Sequence, residues 1–239
     1  MATLKSSADP RTRPDGDEIL DAPGVDPALA RRSLRDIMLA NSLMGGTRAV
    51  MRELESVVPS LPQRATMLDV GTGMGDIPRS ARDVAARRGI TLDTVGLEAA
   101  EWLAAAGRSA TTAAVVGDGR TLPFASHSVD VVICSQVLHH FFDDDAVALL
   151  RELDRVARVR VIVCDLERSE VAVAGLWLFS FVLGFHPVSR HDGIMSIRRG
   201  FTPGELGTIV RAATGAEPRI REYLGFRVAA AWAPTGNDR

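Results

Sequence analysis

Cysteine is nearly absent from the 239 residues: only Cys134 and Cys164 occur, and nothing near either resembles a metal-ligand spacing. That scarcity excludes a disulfide framework. Each cysteine sits inside an apolar run and reads as a small buried hydrophobe in a reducing compartment. Net charge is also scarce. Twenty-eight Lys and Arg against 30 Asp and Glu leave −2, which gives no electrostatic reason to expect nucleic acid. No apolar run is long enough to span a membrane. The segment Val171 to Phe185, VAVAGLWLFSFVLGF, has about 15 residues against the roughly 20 required. It reads as a buried or lid helix, or as a greasy wall for an apolar substrate, and no stable membrane insertion is expected. The opening MATLKSSADPRTRPDGDE lacks the apolar core of a signal peptide, so a cytoplasmic location is expected. Internal repeats and low-complexity tracts are missing as well.

What is present is an ordinary globular balance, 46% hydrophobic and 24% charged, enough for one good core with trimmings. Residues 1–27 are rich in Pro, Asp, Gly and Arg without periodicity and read as a flexible arm. Residues 28–60 read as a helical cover. Leu34, Ile37, Met38, Leu43 and Met44 fall near one helical face, Gly45-Gly46 interrupts, and Thr47 to Val58 forms a second amphipathic stretch that stops at Pro59. Both helices are expected over the mouth of the site.

From residue 61 to 235 strand and helix signals alternate. Strands are predicted at Thr66–Val70, Thr91–Leu97, Thr112–Val116, Val129–Ser135 and Arg160–Asp165. Helices are predicted at about Ile77–Arg88, Ala100–Ala106 and Asp143–Val156. An apolar insert or lid, 168–200, follows and ends in a loop, Pro187 to Gly200. A helix opens at Thr202-Pro203, a hydroxyl N-cap with proline at N1. Two strands, about Arg219–Tyr223 and Phe226–Trp232, close the chain through a turn at Leu224-Gly225. Continuous Val/Ile strands separated by helices predict an α/β fold with a mainly parallel sheet covered on both faces. The closing hairpin predicts one antiparallel strand.

MLDVGTGMGDIP, Met67 to Pro78, carries the most information. An apolar strand ends in Asp69, and glycines follow at Gly71, Gly73 and Gly75 before a helix. Such a turn lets the backbone pass close to a nucleotide cofactor, with helix-start amides offered to an anion. Asp76 stands where a nicotinamide fingerprint places its last glycine. The G-x-G-x-G spacing therefore points to S-adenosylmethionine, and Asp69 could answer its ammonium; a plain tight turn is the bland reading. Glu98, ending the second strand, can accept from both ribose hydroxyls or merely cap the next helix. Asp118 in GDGRTLPF can accept from an adenine amino group or simply form an Asp-Gly turn.

With those residues in place the chain resembles the class I S-adenosylmethionine-dependent methyltransferases, over about Asn41 to Pro234. LDVGTGMGD is similar to their first motif, GDGRTLPF to the adenine loop, VDVVICSQVLHHF to the fourth-strand motif, and FTPGEL with GFRVAAAW to the terminal helix and hairpin. The branch it looks nearest to methylates small molecules of quinone and polyketide pathways. The resemblance implies a Rossmann-like seven-stranded sheet of order 3-2-1-4-5-7-6 with strand seven antiparallel. It also implies S-adenosyl-L-methionine as cofactor, S-adenosyl-L-homocysteine as product, and cofactor contacts from Asp69, Gly71, Thr72, Gly73, Gly75, Glu98, Asp118, Gly119 and Ser135. Two departures stand out: Glu98 where many relatives have Asp, and Met74 where smaller residues are frequent. SQVLHH replaces the Asn/Asp-Pro-Pro-aromatic signature of enzymes that methylate planar amino groups.

For the acceptor, a small and largely apolar molecule is expected, with a phenolic, quinol or polyketide-like ring. Transfer to oxygen is slightly favoured over carbon. His139 and His140 follow the fourth strand and offer a base near neutral pH, His139 being preferred for coming sooner. His191 beside Asp192 offers a second, acid-oriented base. Arg190, Asp192 and Arg198 crowd the same loop as substrate contacts, or as local ion pairs on a solvated loop, and Asn41 is a further contact from the cover. No metal site is legible: Asp143, Asp144 and Asp145 suit a helix N-terminus. A homodimer is compatible with this reading. A nicotinamide-dependent oxidoreductase and a non-catalytic cofactor-binding module are the alternatives.

Overall fold

The computed structural model describes residues 13–14, 18–21 and 24–236. Seven strands form one sheet: β1 (Arg64–Val70), β2 (Thr91–Glu98), β3 (Ala113–Val116), β4 (Val129–Ser135), β5 (Ala157–Leu166), β6 (Arg219–Tyr223) and β7 (Arg227–Trp232). Their order is β3-β2-β1-β4-β5-β7-β6. β1 to β5 run parallel, and β7 is antiparallel to both β5 and β6. The continuous apolar runs have the cause expected of them, because β4 is buried on both faces until its last residue. Its one early carboxylate, Asp130, accepts from the amide and hydroxyl of Thr66 and pairs with Arg158.

Among the described residues eight α-helices pack with the sheet. On one face α2 (Gly46–Val57) and α3 (Asp76–Ala86) press Val50, Leu54, Val57, Ala81 and Val84 onto Met67, Val131, Ile133 and Ile162. On the other, α5 (Asp143–Val156) and α8 (Pro203–Thr214) press Leu149, Leu150, Leu153, Leu206 and Val210 onto Leu68, Val132, Val163 and Trp232. α8 begins with the predicted cap, where Thr202 and Glu205 exchange side-chain and backbone hydrogen bonds as a capping box. α4 (Glu101–Gly107) follows β2. α1 (Pro27–Leu43), α6 (Glu170–Val182) and α7 (Pro187–Arg199) gather at the carboxyl end of the sheet. None of the described helices is long and apolar enough to cross a membrane.

Three expectations change. α2 belongs to the sheet layer and does not cover the mouth. Its apolar stripe is wholly buried, and Glu53 is held there by Arg219 and by the Tyr223 hydroxyl. The segment from Pro187 to Gly200 is not a loop but α7. Its buried positions include Ser189, Asp192 and Arg199, so no apolar stripe announces it. The arm, finally, is anchored where it is described, residues 1–12, 15–17 and 22–23 lying outside the described residues. Arg13 donates to the carbonyls of Arg199, His139 and Phe141, and its guanidinium stacks on Phe142 and Phe201.

Candidate functional site

A cavity of about 750 Å³ opens at the carboxyl ends of β1, β2 and β4, where a doubly wound sheet binds its ligands. The turn after β1 forms one part of its floor. Gly71 has φ +75°, and a Cβ there would meet Val137 Cγ2 at 2.2 Å. Gly73, with φ +53°, is the opposite case: a Cβ would find nothing within 4 Å and would simply fill the cradle. Gly75 caps α3 without lining the cavity.

Glu98, at the end of β2 and 8% exposed, accepts from the Gly73 amide. Burial raises its pKa, with the Gly73 and Ala99 amides opposing. Asp69 is fully buried beneath the turn. Burial pushes its pKa up to about 7, with the neighbouring Thr72 hydroxyl opposing and the Asp76 and Glu98 charges adding to the rise. Asp69 Oδ2 and Thr72 Oγ1 have no hydrogen-bond partner among the described residues. Buried polar atoms are rarely left so, and two beside the open turn at Gly73 and the Glu98 carboxylate fit a ligand rich in amino and hydroxyl groups. Gly117, Gly119 and half-buried Ser135 also line the cavity. Asp118 does not. Its exposed carboxylate is taken by Arg120, 2.7 Å away, so this edge offers backbone rather than the carboxylate expected there.

The second half of the cavity is walled by Leu34, Ile37 and Met38 of α1 with Leu176, Phe185 and Ile197. His139 looks into it, 2% exposed. Its Nδ1 lies 2.6 Å from Asp165 Oδ1, and its amide donates to Asp165 Oδ2 at 3.0 Å. Burial raises the Asp165 pKa. The His139 imidazole and the amides of Leu166 and His139 outweigh this and hold it below the usual carboxylate value. The carboxylate thus fixes the Nδ1–H tautomer and leaves Nε2 as the proton acceptor. His140 stacks on it with ring centroids 4.3 Å apart and also lines the cavity.

Sequence reasoning missed Glu18, because the arm lacks periodicity. It is buried over both histidines, 3.9 Å from His139 Nε2 and 4.0 Å from His140 Nδ1. These three residues bring ligand-capable atoms within 4.8 Å of one another. Glu18 also accepts from Ser196 and faces Arg199 at 3.7 Å, so its charge is answered without an ion. Asp165, Gln136 and Arg227 were likewise missed as site residues. Asn41 lines the cavity.

The second cluster keeps its pair but not its place. His191 Nδ1 lies 3.0 Å from Asp192 Oδ1, as the sequence suggests, but the His191 side chain is 51% exposed and outside the cavity lining. Asp192 lines the cavity, but its carboxylate accepts from the amides of Ile19 and Leu20 and so anchors the arm. Arg190 bonds the Ser180 hydroxyl and stacks on Phe181, while Arg198 faces Glu170 at 3.7 Å; neither lines the cavity.

The Asp69 geometry makes a stability prediction. Unfolded, this carboxyl ionises near 3.9; folded, it holds its proton to about 7. Its contribution is intact below the unfolded value and is lost as pH rises through the folded one. Asp69→Asn removes that loss. Its melting temperature in the ligand-free protein should exceed the native one by several degrees more at pH 8 than at pH 4.5. Equal differences at both pH values would refute the assignment.

The methyltransferase domain family matches residues 68–164. Among curated proteins no sequence matches the chain. Its fold is similar to that of an S-adenosylmethionine-dependent methyltransferase from Aquifex aeolicus, with TM-score 0.56 and 16% identity over 83% of this chain and 98% of that one. It is similar to magnesium protoporphyrin IX methyltransferase from Synechocystis with bound S-adenosylmethionine, at TM-score 0.54 and 12% identity over 91% and 89%. The methyltransferase domain of the citrinin polyketide synthase matches at TM-score 0.57 and 14% identity, over 78% of this chain and 51% of that one. These likenesses concern the fold.

Proposed function

We propose that this chain, a class I S-adenosylmethionine-dependent methyltransferase, methylates an oxygen of a small, largely apolar acceptor, with His139 as the base. The observation that carries this reading is the Asp165–His139 pair, aimed into the apolar half of one continuous cavity.

The cofactor half fits S-adenosylmethionine. The Gly71–Gly73 turn gives the backbone a close approach, and Glu98 has the position and charge to accept from paired ribose hydroxyls. Gly117 and Gly119 border the adenine side, and Thr72 lines the cavity with the Asp69 carboxyl buried behind it. When bound, the cofactor supplies a methyl group on a positively charged sulfur. The chain's task is alignment and proton removal. Leu34, Ile37, Met38, Leu176 and Phe185 hold an apolar body and exclude water. His139 Nε2 takes the acceptor's hydroxyl proton, and Asp165 steadies the imidazolium through Nδ1. Glu18, 3.9 Å from Nε2, gives that proton a route outward. A ring of the phenolic or polyketide-like kind suits this wall, in keeping with the fold shared with the citrinin synthase domain.

The test is a panel of alkylated phenols, quinols and hydroxypyranones incubated with S-adenosylmethionine, read by mass spectrometry. Methyl ethers should form, fastest on acceptors with an apolar side chain. Binding of S-adenosylhomocysteine without transfer to any member would overturn the acceptor assignment while leaving the cofactor site standing.

A further inference from the structure

Arg227 has no part in the chemistry above. It opens β7 and is 5% exposed. Its Nη1 donates to the main-chain carbonyls of Gly225 and Phe226, at 2.9 and 3.3 Å. Its Nε is buried with no partner among the described residues. No carboxylate of the described residues pairs with it, and the nearby Asp165 is engaged by His139. A buried guanidinium without a counter-charge is costly, and burial lowers its pKa to about 10, with Asp165 opposing. Yet this side chain lines the cavity.

Two further polar heads converge on the same spot. A Cβ built on Gly46 would stand 3.0 Å from Gln136 Nε2, 3.4 Å from Arg227 Nε and 3.4 Å from Asn41 Oδ1. Only a residue without a side chain leaves that space to the three of them. Gln136 is held at φ +56°, a conformation that a non-glycine residue adopts when its surroundings enforce it. Around this cluster the wall is apolar, with Met44, Leu166 and Leu176.

We propose that Gln136 and Arg227 form an anion-binding end of the acceptor pocket, with Asn41 bordering it, and that the acceptor is an apolar acid presenting a carboxylate. The proposal rests on the methyltransferase reading and names its substrate class. One guanidinium matches one monoanion, and its planar fork matches the two oxygens of a carboxylate. A phosphate would leave its second charge unanswered. Bound here, the carboxylate fixes one end of the acceptor while its hydroxyl is left to His139.

The test is calorimetry on the full chain saturated with S-adenosylhomocysteine, using 4-alkoxybenzoates of four, eight and twelve carbons and their methyl esters. At least one acid should bind about tenfold or more tighter than its ester, the worth of a charge-assisted hydrogen bond. Arg227→Met should bring the acid down to the level of the ester, and Asn41→Ala should cause a smaller loss. Both variants should keep the native affinity for S-adenosylhomocysteine, which also reports that they fold. If Arg227→Met fails to fold, Arg227→Lys is the second variant and should weaken the acid but not the ester. Equal binding of acid and ester, no binding of any acid, or acid binding indifferent to residue 227 overturns the proposal. Failure of the native chain to bind S-adenosylhomocysteine would instead overturn the reading beneath it.

Discussion

Replacing His139 with asparagine should lower the turnover number by about 10²–10⁴-fold, the usual worth of a general base, while leaving S-adenosylhomocysteine affinity unchanged. The size of the effect follows from burial. His139 is 2% exposed, so water cannot readily stand in for its Nε2. Asp165→Asn should cost nearly as much although it touches no substrate. An amide in that place no longer demands the Nδ1–H tautomer and no longer offsets an imidazolium charge. A merely structural role is separated by the split between unchanged S-adenosylhomocysteine affinity and lost turnover. His140→Ala should cost far less, since its ring supports His139 from the side. Native turnover in His139→Asn would mean that alignment alone drives the reaction.

Glu98→Ala carries the second large effect: a loss of about 10²-fold or more in affinity for S-adenosylmethionine and S-adenosylhomocysteine alike. Two hydrogen bonds from hydroxyls to one carboxylate are worth about 1.5–3 kcal/mol each. The Gly73 amide loses its acceptor as well, so the turn itself loosens. Glu98→Gln keeps an acceptor oxygen and should fall between. Calorimetry gives the affinities, and a thermal melt without ligand separates the binding loss from any loss of fold. Asp118→Ala is the control, because its carboxylate is spent on Arg120. Comparable losses in Glu98→Ala and Asp118→Ala would place the nucleoside elsewhere.

The sheet was legible because its strands are buried on both faces and read as unbroken apolar runs, as in VDVVICS. The cofactor half was legible in part: Gly71, Thr72, Gly73, Glu98, Gly119 and Ser135 line the cavity from short segments at strand ends, whereas Asp69, Gly75 and Asp118 do not line it. The acceptor half was not, because it is assembled across long separations. His191 and Asp192 do pair, Nδ1 to Oδ1 at 3.0 Å, yet His191 is half exposed outside the cavity and the same carboxylate holds the amides of Ile19 and Leu20. The His139–Asp165 pair joins residues 26 apart in sequence and becomes visible only once β4 and β5 are known to be neighbours. Glu18 lies in a stretch whose composition resembles that of solvated linkers, and its anchoring depends on Ser196 and Arg199, far along the chain. Arg227 hides in a strand whose other residues are apolar.

The anchoring of the arm has a kinetic corollary. Glu18 and Leu20 roof the reaction chamber, and Asp192 with the staple at Arg13 holds that roof down. Passage on this side of the cavity requires those bonds to exchange with solvent, so the lifetime of the anchored arm bears on how quickly a ligand comes and goes there.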